Sequence, residues 1–211
     1  MKNYKVQTKE LFEELCMEMK IKKPPFRISG GGLNAFERFG RIIITKDLAK
    51  MISTNYRTVR YLLTHELIHL KYQDSKTRVA RLGILAFSIP EWIPFEHRVK
   101  AYTLLTELRA SIEGYSFNKY KEIDEIIKIE NSTKDPKFFN KEIAYKYGYP
   151  STEQIANYAS KYEKLTEELA REVLNDFCMV RKIKDADKDK FINKTLARFR
   201  VLFIDNRKDN L

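Results

Sequence analysis

Three histidines occur among the 211 residues, and two of them, His65 and His69, frame a glutamate in the order His65-Glu66-Leu67-Ile68-His69. On a helix, residues four apart lie on one face, one turn above each other. Both imidazoles can then point a ring nitrogen at one ion. Glu66 sits about 100° round the helix from His65, close enough to flank the ion without ligating it. Two imidazoles that hold zinc, beside a carboxylate that takes a proton from water, are the parts of a hydrolytic metal site. The alternative is a buried helix that merely carries two histidines and a glutamate. Burying three polar groups on so apolar a stretch costs a few kcal/mol unless something pairs with them.

A catalytic zinc site of this kind needs a third protein ligand and an open position. Glu107 fits, because a second helix can bring it back to the pair. Ala110 allows close helix approach, and Ser111, one turn on, is placed to hydrogen-bond a ligand. Glu107 as a surface carboxylate is an equal reading of the same spacing. Glu113 is the rival ligand, less favoured because it stands beside Gly114, where the helix is expected to end and fray.

The elements that must position these residues follow from pattern. No Gly or Pro interrupts residues 56–74, which predicts the motif helix. Leu11, Phe12, Leu15, Cys16 and Met19 predict an amphipathic helix over residues 7–19. Phe26-Arg27-Ile28 reads as a short strand and Gly30-Gly31-Gly32 as a turn. The β-branched run Arg41-Ile42-Ile43-Ile44-Thr45 reads as a strand. A short helix over Leu48, Met51 and Ile52 follows, with Thr45 or Asp47 as cap. If the strand before the motif helix is a sheet edge, its backbone can pair with an extended peptide laid across the metal; otherwise it is an interior strand. Residues 75–85 are expected to be helical, with a loop marked by Pro90 and Pro94 and carrying Ile89, Trp92 and Phe95. The next helix is expected over residues 97–113. Beyond it, Ile123, Ile126, Ile127 and Ile129 suggest a helix, and Ser151 with Gln154 a capping box. The spacing of Tyr162, Leu165, Leu169, Val173, Phe177 and Val180 predicts one long amphipathic helix. Asp185, Asp187 and Asp189 alternate as calcium loops do, but Lys190 stands where such a loop needs glycine. A last helix is expected over residues 191–203.

The composition, 43% hydrophobic and 33% charged, is that of a globular chain. Cys16 and Cys178 have no metal-ligand spacing and read as reduced core residues, so a cytoplasmic location is expected. No secretory signal and no membrane span are expected. The net charge of +11 falls mostly in residues 1–118 and favours an acidic or anionic partner.

Asn34-Ala35-Phe36, Gly40, Ile42-Ile43-Ile44-Thr45, Leu48, His65-Glu66-Leu67-x-His69, Asp74 and Glu107-x-x-Ala110 occur in the order found in the M48 metallopeptidases, which are gluzincins. The chain resembles that family over residues 1–118. An α+β, mostly helical fold is expected: the resemblance implies a zincin-like core over residues 1–118 with a small sheet beside the motif helix, and the spacing beyond it a C-terminal helical extension over residues 119–211. The resemblance implies zinc on His65, His69 and Glu107, Glu66 as general base, and Asp74 and Ser111 supporting the ligands. It also implies a protein or peptide substrate paired near Phe36, Ile42, Ile43 and Ile44. The chain departs from the family at Ile68, where a small residue is common, and at Ser111, where an aspartate is common. The expected activity is that of a soluble zinc endopeptidase. The competing expectation is a zinc-stabilised basic binding or regulatory protein, engaging a partner protein or nucleic acid with little turnover.

Overall fold

The structure, a computed structural model, describes residues 3–74, 93–133 and 135–203. Helix α1 spans Tyr4–Glu18, capped by the Asn3 side chain, which accepts from the Lys5 amide. Three short strands follow: β1 (Phe26–Ile28), β2 (Ala35–Arg38) and β3 (Arg41–Ile44). They form one sheet in the order β1-β3-β2, with β1 parallel and β2 antiparallel to β3. Helix α2 (Lys46–Lys50) runs into a 3₁₀ turn at Met51–Ser53. Thr45 stands at its N-cap position but makes no side-chain cap bond. Its hydroxyl instead donates to the carbonyls of Gly32 and Asn34, while the Asp47 carboxylate accepts from the Gly32 amide. The triple-glycine turn is thereby tied to the start of α2.

Helix α3 (Tyr56–Lys71) carries the motif and is capped by Asn55. It is buried on two sides. Val59, Leu63 and Leu67 enter a core formed with α1, β3 and α2. Tyr61 and Ile68 enter a second core on the opposite side, built on α4 (Phe95–Phe117). Leu63 and Leu67 are fully buried, and each such side chain contributes about 1.5–3 kcal/mol. A helix gripped between two cores holds His65, Glu66 and His69 rigidly.

Helix α4 runs on through Gly114 instead of ending there. The reason is packing: a Cβ on Gly114 would meet the Tyr61 ring at 3.3 Å. The glycine is a close-approach residue between α3 and α4, and Asn118 caps the helix beyond it.

Further helices pack against α3 and α4. They are α5 (Ile123–Thr133), a 3₁₀ turn at Pro136–Phe139, α6 (Lys141–Tyr147), α7 (Thr152–Lys161), α8 (Glu167–Val180) and α9 (Asp185–Phe203). Leu105 and Leu108 of α4 share one core with Ile126, Ile155, Phe177 and Phe191. The architecture is therefore mostly helical, with one three-stranded sheet followed by more helices. The Ser151–Gln154 capping box is present. The long helix expected through Tyr162–Val180 is realised only over Glu167–Val180, because Tyr162 and Leu165 lie in the link between α7 and α8. The chain leaves α7 at Tyr162 and restarts at Thr166, whose side chain caps α8 by accepting from the Leu169 amide. Asp185 and Asp187 occupy the first turn of α9, where the helix dipole favours negative charge. The helix expected over residues 75–85 and the loop positions Ile89 and Trp92 lie outside the described residues. No helix among the described residues is long and apolar enough to cross a membrane.

Candidate metal centre and cleft

The motif pair and the third ligand meet. His65 Nε2 lies 3.0 Å from His69 Nε2, and Glu107 Oε2 lies 3.5 and 3.7 Å from the two nitrogens. These are the only three His, Cys, Asp or Glu residues among those described whose ligand atoms converge in this way. Ligand bonds of about 2.0–2.1 Å in a tetrahedron place donor atoms roughly 3.3 Å apart. The observed triangle matches that size, and its two imidazoles and one carboxylate are zinc-type donors. The residues fit the metal.

The surroundings fix His69. Tyr72 caps α3, and Gln73 takes a left-handed conformation (φ 53°), which swings Asp74 back under the helix end. Asp74 Oδ2 then sits 2.7 Å from His69 Nδ1. The proton belongs on Nδ1, facing the carboxylate, and Nε2 presents its lone pair to the metal position. Asp74 is held in turn by Arg109, whose Nη2 donates to both its oxygens at 2.7 and 2.6 Å. The Arg109 guanidinium lies over the Tyr72 ring, 3.8 Å from its centroid. Tyr72 donates to Glu113 at 2.9 and 3.0 Å. Glu113, the rival ligand, is thus committed one layer out.

Charge in the metal-free site follows from this packing. Burial pushes the Glu66 carboxyl up to about 8; the neighbouring Glu107 adds to the rise, and His69 opposes it. Burial would also raise Glu107, but His69 and His65 hold it well below the usual carboxylate range. Burial would lower His69, yet Glu107 and Asp74 raise it well above an ordinary imidazole.

The expected substrate strand needs correction. Ile42, Ile43 and Ile44 form the middle strand, paired to β1 on one side and β2 on the other, so they have no open edge. The open edges belong to the outer strands β1 and β2, and β2 is the one that packs on the motif helix. The Thr45 amide donates to the Asn34 carbonyl at 2.9 Å. That bond sets the alternation of the antiparallel ladder. Phe36 turns its backbone toward β3, and Ala35 and Glu37 turn theirs outward. The outward Glu37 amide donates to Glu66 Oε2 at 2.6 Å. The strand beside the His65–His69–Glu107 cluster therefore fixes the Glu66 carboxylate with its own backbone.

Ser111 is also placed otherwise than expected. It is buried beside the Tyr61 phenol, while the ligand-supporting work falls to Asp74 and Arg109. Tyr61 meets the His65 ring edge-on and stacks on Tyr115 at 3.9 Å. Both phenols donate to Glu130 Oε1, at 3.0 and 2.8 Å. Burial, then the Glu130 charge, push both phenols well above their ordinary pKa and keep them donors. Tyr102 and Tyr149 also line the cleft. Tyr115 is committed to Glu130, and His97 accepts from Arg181 at 2.9 Å.

The site opens into a cleft of about 500 Å³. Leu33, Phe36 and Glu37 line its sheet side, and Val99, Thr103 and Thr106 of α4 line the opposite side with the metal ligands. The C-terminal helical region closes it with Glu130, Thr133, Asp135, Phe138 and Tyr149. Among the described lining residues the charged groups are carboxylates, Glu37, Glu130 and Asp135 besides those at the metal centre. The lysine and arginine excess of the sequence is not represented among these lining residues.

Reading the sequence alone missed Arg109, the Glu37 amide, and the Tyr61–Glu130 pair. Arg109 left one signal, a cation set between Leu108 and Ala110 in the buried stretch of α4. No family model matches this chain, and no curated protein or solved structure matches it either.

Proposed function

We propose that the protein is a zinc-dependent endopeptidase, with His65, His69 and Glu107 holding the metal and Glu66 acting as general base. The observation that carries this reading is the convergence of His65 Nε2, His69 Nε2 and Glu107 Oε2 in an open cleft, with Glu66 fixed beside them. A zinc ion on these three ligands would supply Lewis acidity, lowering the pKa of a water to near 7 and polarising the scissile carbonyl. Glu66 is anchored through Oε2, which leaves Oε1 to take the water's proton and return it to the leaving amine. The outward backbone groups of Ala35 offer an extended peptide one residue of antiparallel pairing at the metal. Asp74 and Arg109 keep His69 in the metal-binding tautomer through the cycle. The two cysteines are free and buried, which supports a reducing, cytoplasmic setting.

The test is cleavage of an unfolded protein such as reduced casein, followed by mass spectrometry of the products. The zinc-loaded wild type is expected to cut internal bonds, and Glu66→Gln to bind zinc but lose at least about 100-fold in rate. Equal rates in the two proteins would overturn the assignment of Glu66. No cleavage by a zinc-loaded wild type would favour the non-catalytic binding reading.

A further inference from the structure

The C-terminal helical region contributes a wall of the cleft that the peptidase reading leaves without a role. We propose that Phe138 and Tyr149 form an aromatic subsite that takes a large apolar side chain of the substrate, three or four residues from the bond that is cut. This proposal rests on the peptidase reading of the same cleft.

Both rings line the cleft that holds the metal ligands. They lie 5.3 Å apart, centroid to centroid, and Phe138 also meets the Tyr147 ring edge-on at 5.9 Å. The 3₁₀ turn Pro136–Phe139 places two phenylalanines in sequence, yet none of its residues is buried. These rings are held in position at the cleft without being consumed by a core. Their rigidity comes from α4. Gly148, between Tyr147 and Tyr149, is left-handed, and a Cβ there would stand 2.9 Å from the Lys100 carbonyl oxygen. Only glycine lets this turn lie flat against the helix, and it docks Tyr149 at the Val99–Lys100 end.

Helix α4 also serves as a ruler. Glu107 is at the metal centre and Val99 is at the aromatic end, with Thr103 and Thr106 lining the cleft between them. At 1.5 Å per residue the rise from Val99 to Glu107 is about 12 Å. An extended peptide advances ~3.3 Å per residue, so three or four residues span that distance. The occupant is the substrate itself, because the aromatic surface is continuous with the cleft in which the peptide would be cut.

The experiment uses a set of quenched fluorescent peptides in which a single leucine is moved through an otherwise Gly/Ala/Ser frame. Mass spectrometry identifies the bond cut in each. The expected result for the zinc-loaded wild type is a kcat/KM higher on the order of tenfold for leucine over glycine at one position, three or four residues from the cut bond. In the Phe138→Ala/Tyr149→Ala double variant that ratio should fall to about one, with zinc content unchanged. Absence of such a preference in the wild type would overturn the subsite, whether or not the variant folds. So would a preference that survives the double substitution. If no peptide is cut, anisotropy with the labelled leucine and glycine peptides separates the two ideas. Tighter binding of the leucine peptide that is lost in the double variant keeps the subsite while the peptidase reading falls; equal binding overturns the subsite too.

Discussion

Asp74→Asn perturbs the site without touching a metal ligand. Asp74 lies between His69 and Arg109, at 2.7 Å from the one and 2.6 and 2.7 Å from the other, with both acid and guanidinium almost wholly buried. Asparagine keeps the shape, but its one carbonyl cannot serve both neighbours, and the negative charge is gone. Two losses follow. Loss of the ligand's outer partner weakens metal binding by about 10–100-fold, or roughly 1.4–2.7 kcal/mol. Leaving Arg109 buried without its carboxylate costs about 3 kcal/mol of metal-free stability, the lower end for a broken buried pair. At about 2–4 °C per kcal/mol for a chain of this size, Tm should fall by roughly 6–12 °C. Zinc affinity is read by competition with a chromophoric chelator, and stability by urea unfolding with and without zinc. The pH dependence has a definite sign. Burial alone would raise the Asp74 carboxyl, but His69 and Arg109 hold it below its usual range. Its contribution is therefore fully present above the ordinary aspartate pKa of about 3.9 and is lost as pH falls through the lowered value. The stability gap between wild type and Asp74→Asn should narrow in acid. A zinc affinity within twofold of wild type, with unfolding free energy within about 0.5 kcal/mol, would refute the reasoning.

Other expectations test neighbouring parts of the account. Glu66→Gln should stabilise the metal-free protein, and more so at pH 9 than at pH 5, because a carboxyl raised to about 8 destabilises the fold progressively as pH rises from the ordinary value of 4.5 to the raised one; thermal melts at the two pH values check this. Glu37→Pro should keep zinc and lower kcat about tenfold, since it removes the amide that anchors Glu66 and no ladder bond, whereas Glu37→Ala, which likewise loses the carboxylate that accepts from the Gly40 amide, should leave kcat near wild type. Gly114→Ala should be close to neutral, with a helix gain of about 1 kcal/mol set against a tight contact with Tyr61, while Gly114→Val should cost about 1–3 kcal/mol in chemical denaturation.

The motif helix was legible because its residues must satisfy two cores at once, and an uninterrupted apolar stretch records that demand. Its partner helix was legible up to Gly114. A glycine that ends a helix and one that admits a neighbouring ring look alike until the ring is seen. The strands misled for a related reason. Ile42, Ile43 and Ile44 have the strongest strand signal because the strand is central and Ile42 and Ile44 are buried, while β2, with Glu37 and Arg38, is mixed in composition because one edge is open. The break between α7 and α8 was hidden because the apolar spacing continues across it through Tyr162 and Leu165. Arg109 and Glu130 escaped because hydrophobic periodicity records which positions are buried and not which buried positions carry charge. Their partners, Asp74, Tyr61 and Tyr115, are distant in sequence.

The central claim is the ligand set, and zinc content is its most direct measure. Wild type, Glu107→Gln and Glu113→Gln, purified identically and analysed for metal by elemental analysis, separate the ligand from its rival. The account predicts about one zinc per chain in wild type and Glu113→Gln, and loss of most of it in Glu107→Gln. A wild type that holds no zinc even after metal is added, or a Glu107→Gln protein that keeps it, would contradict the account.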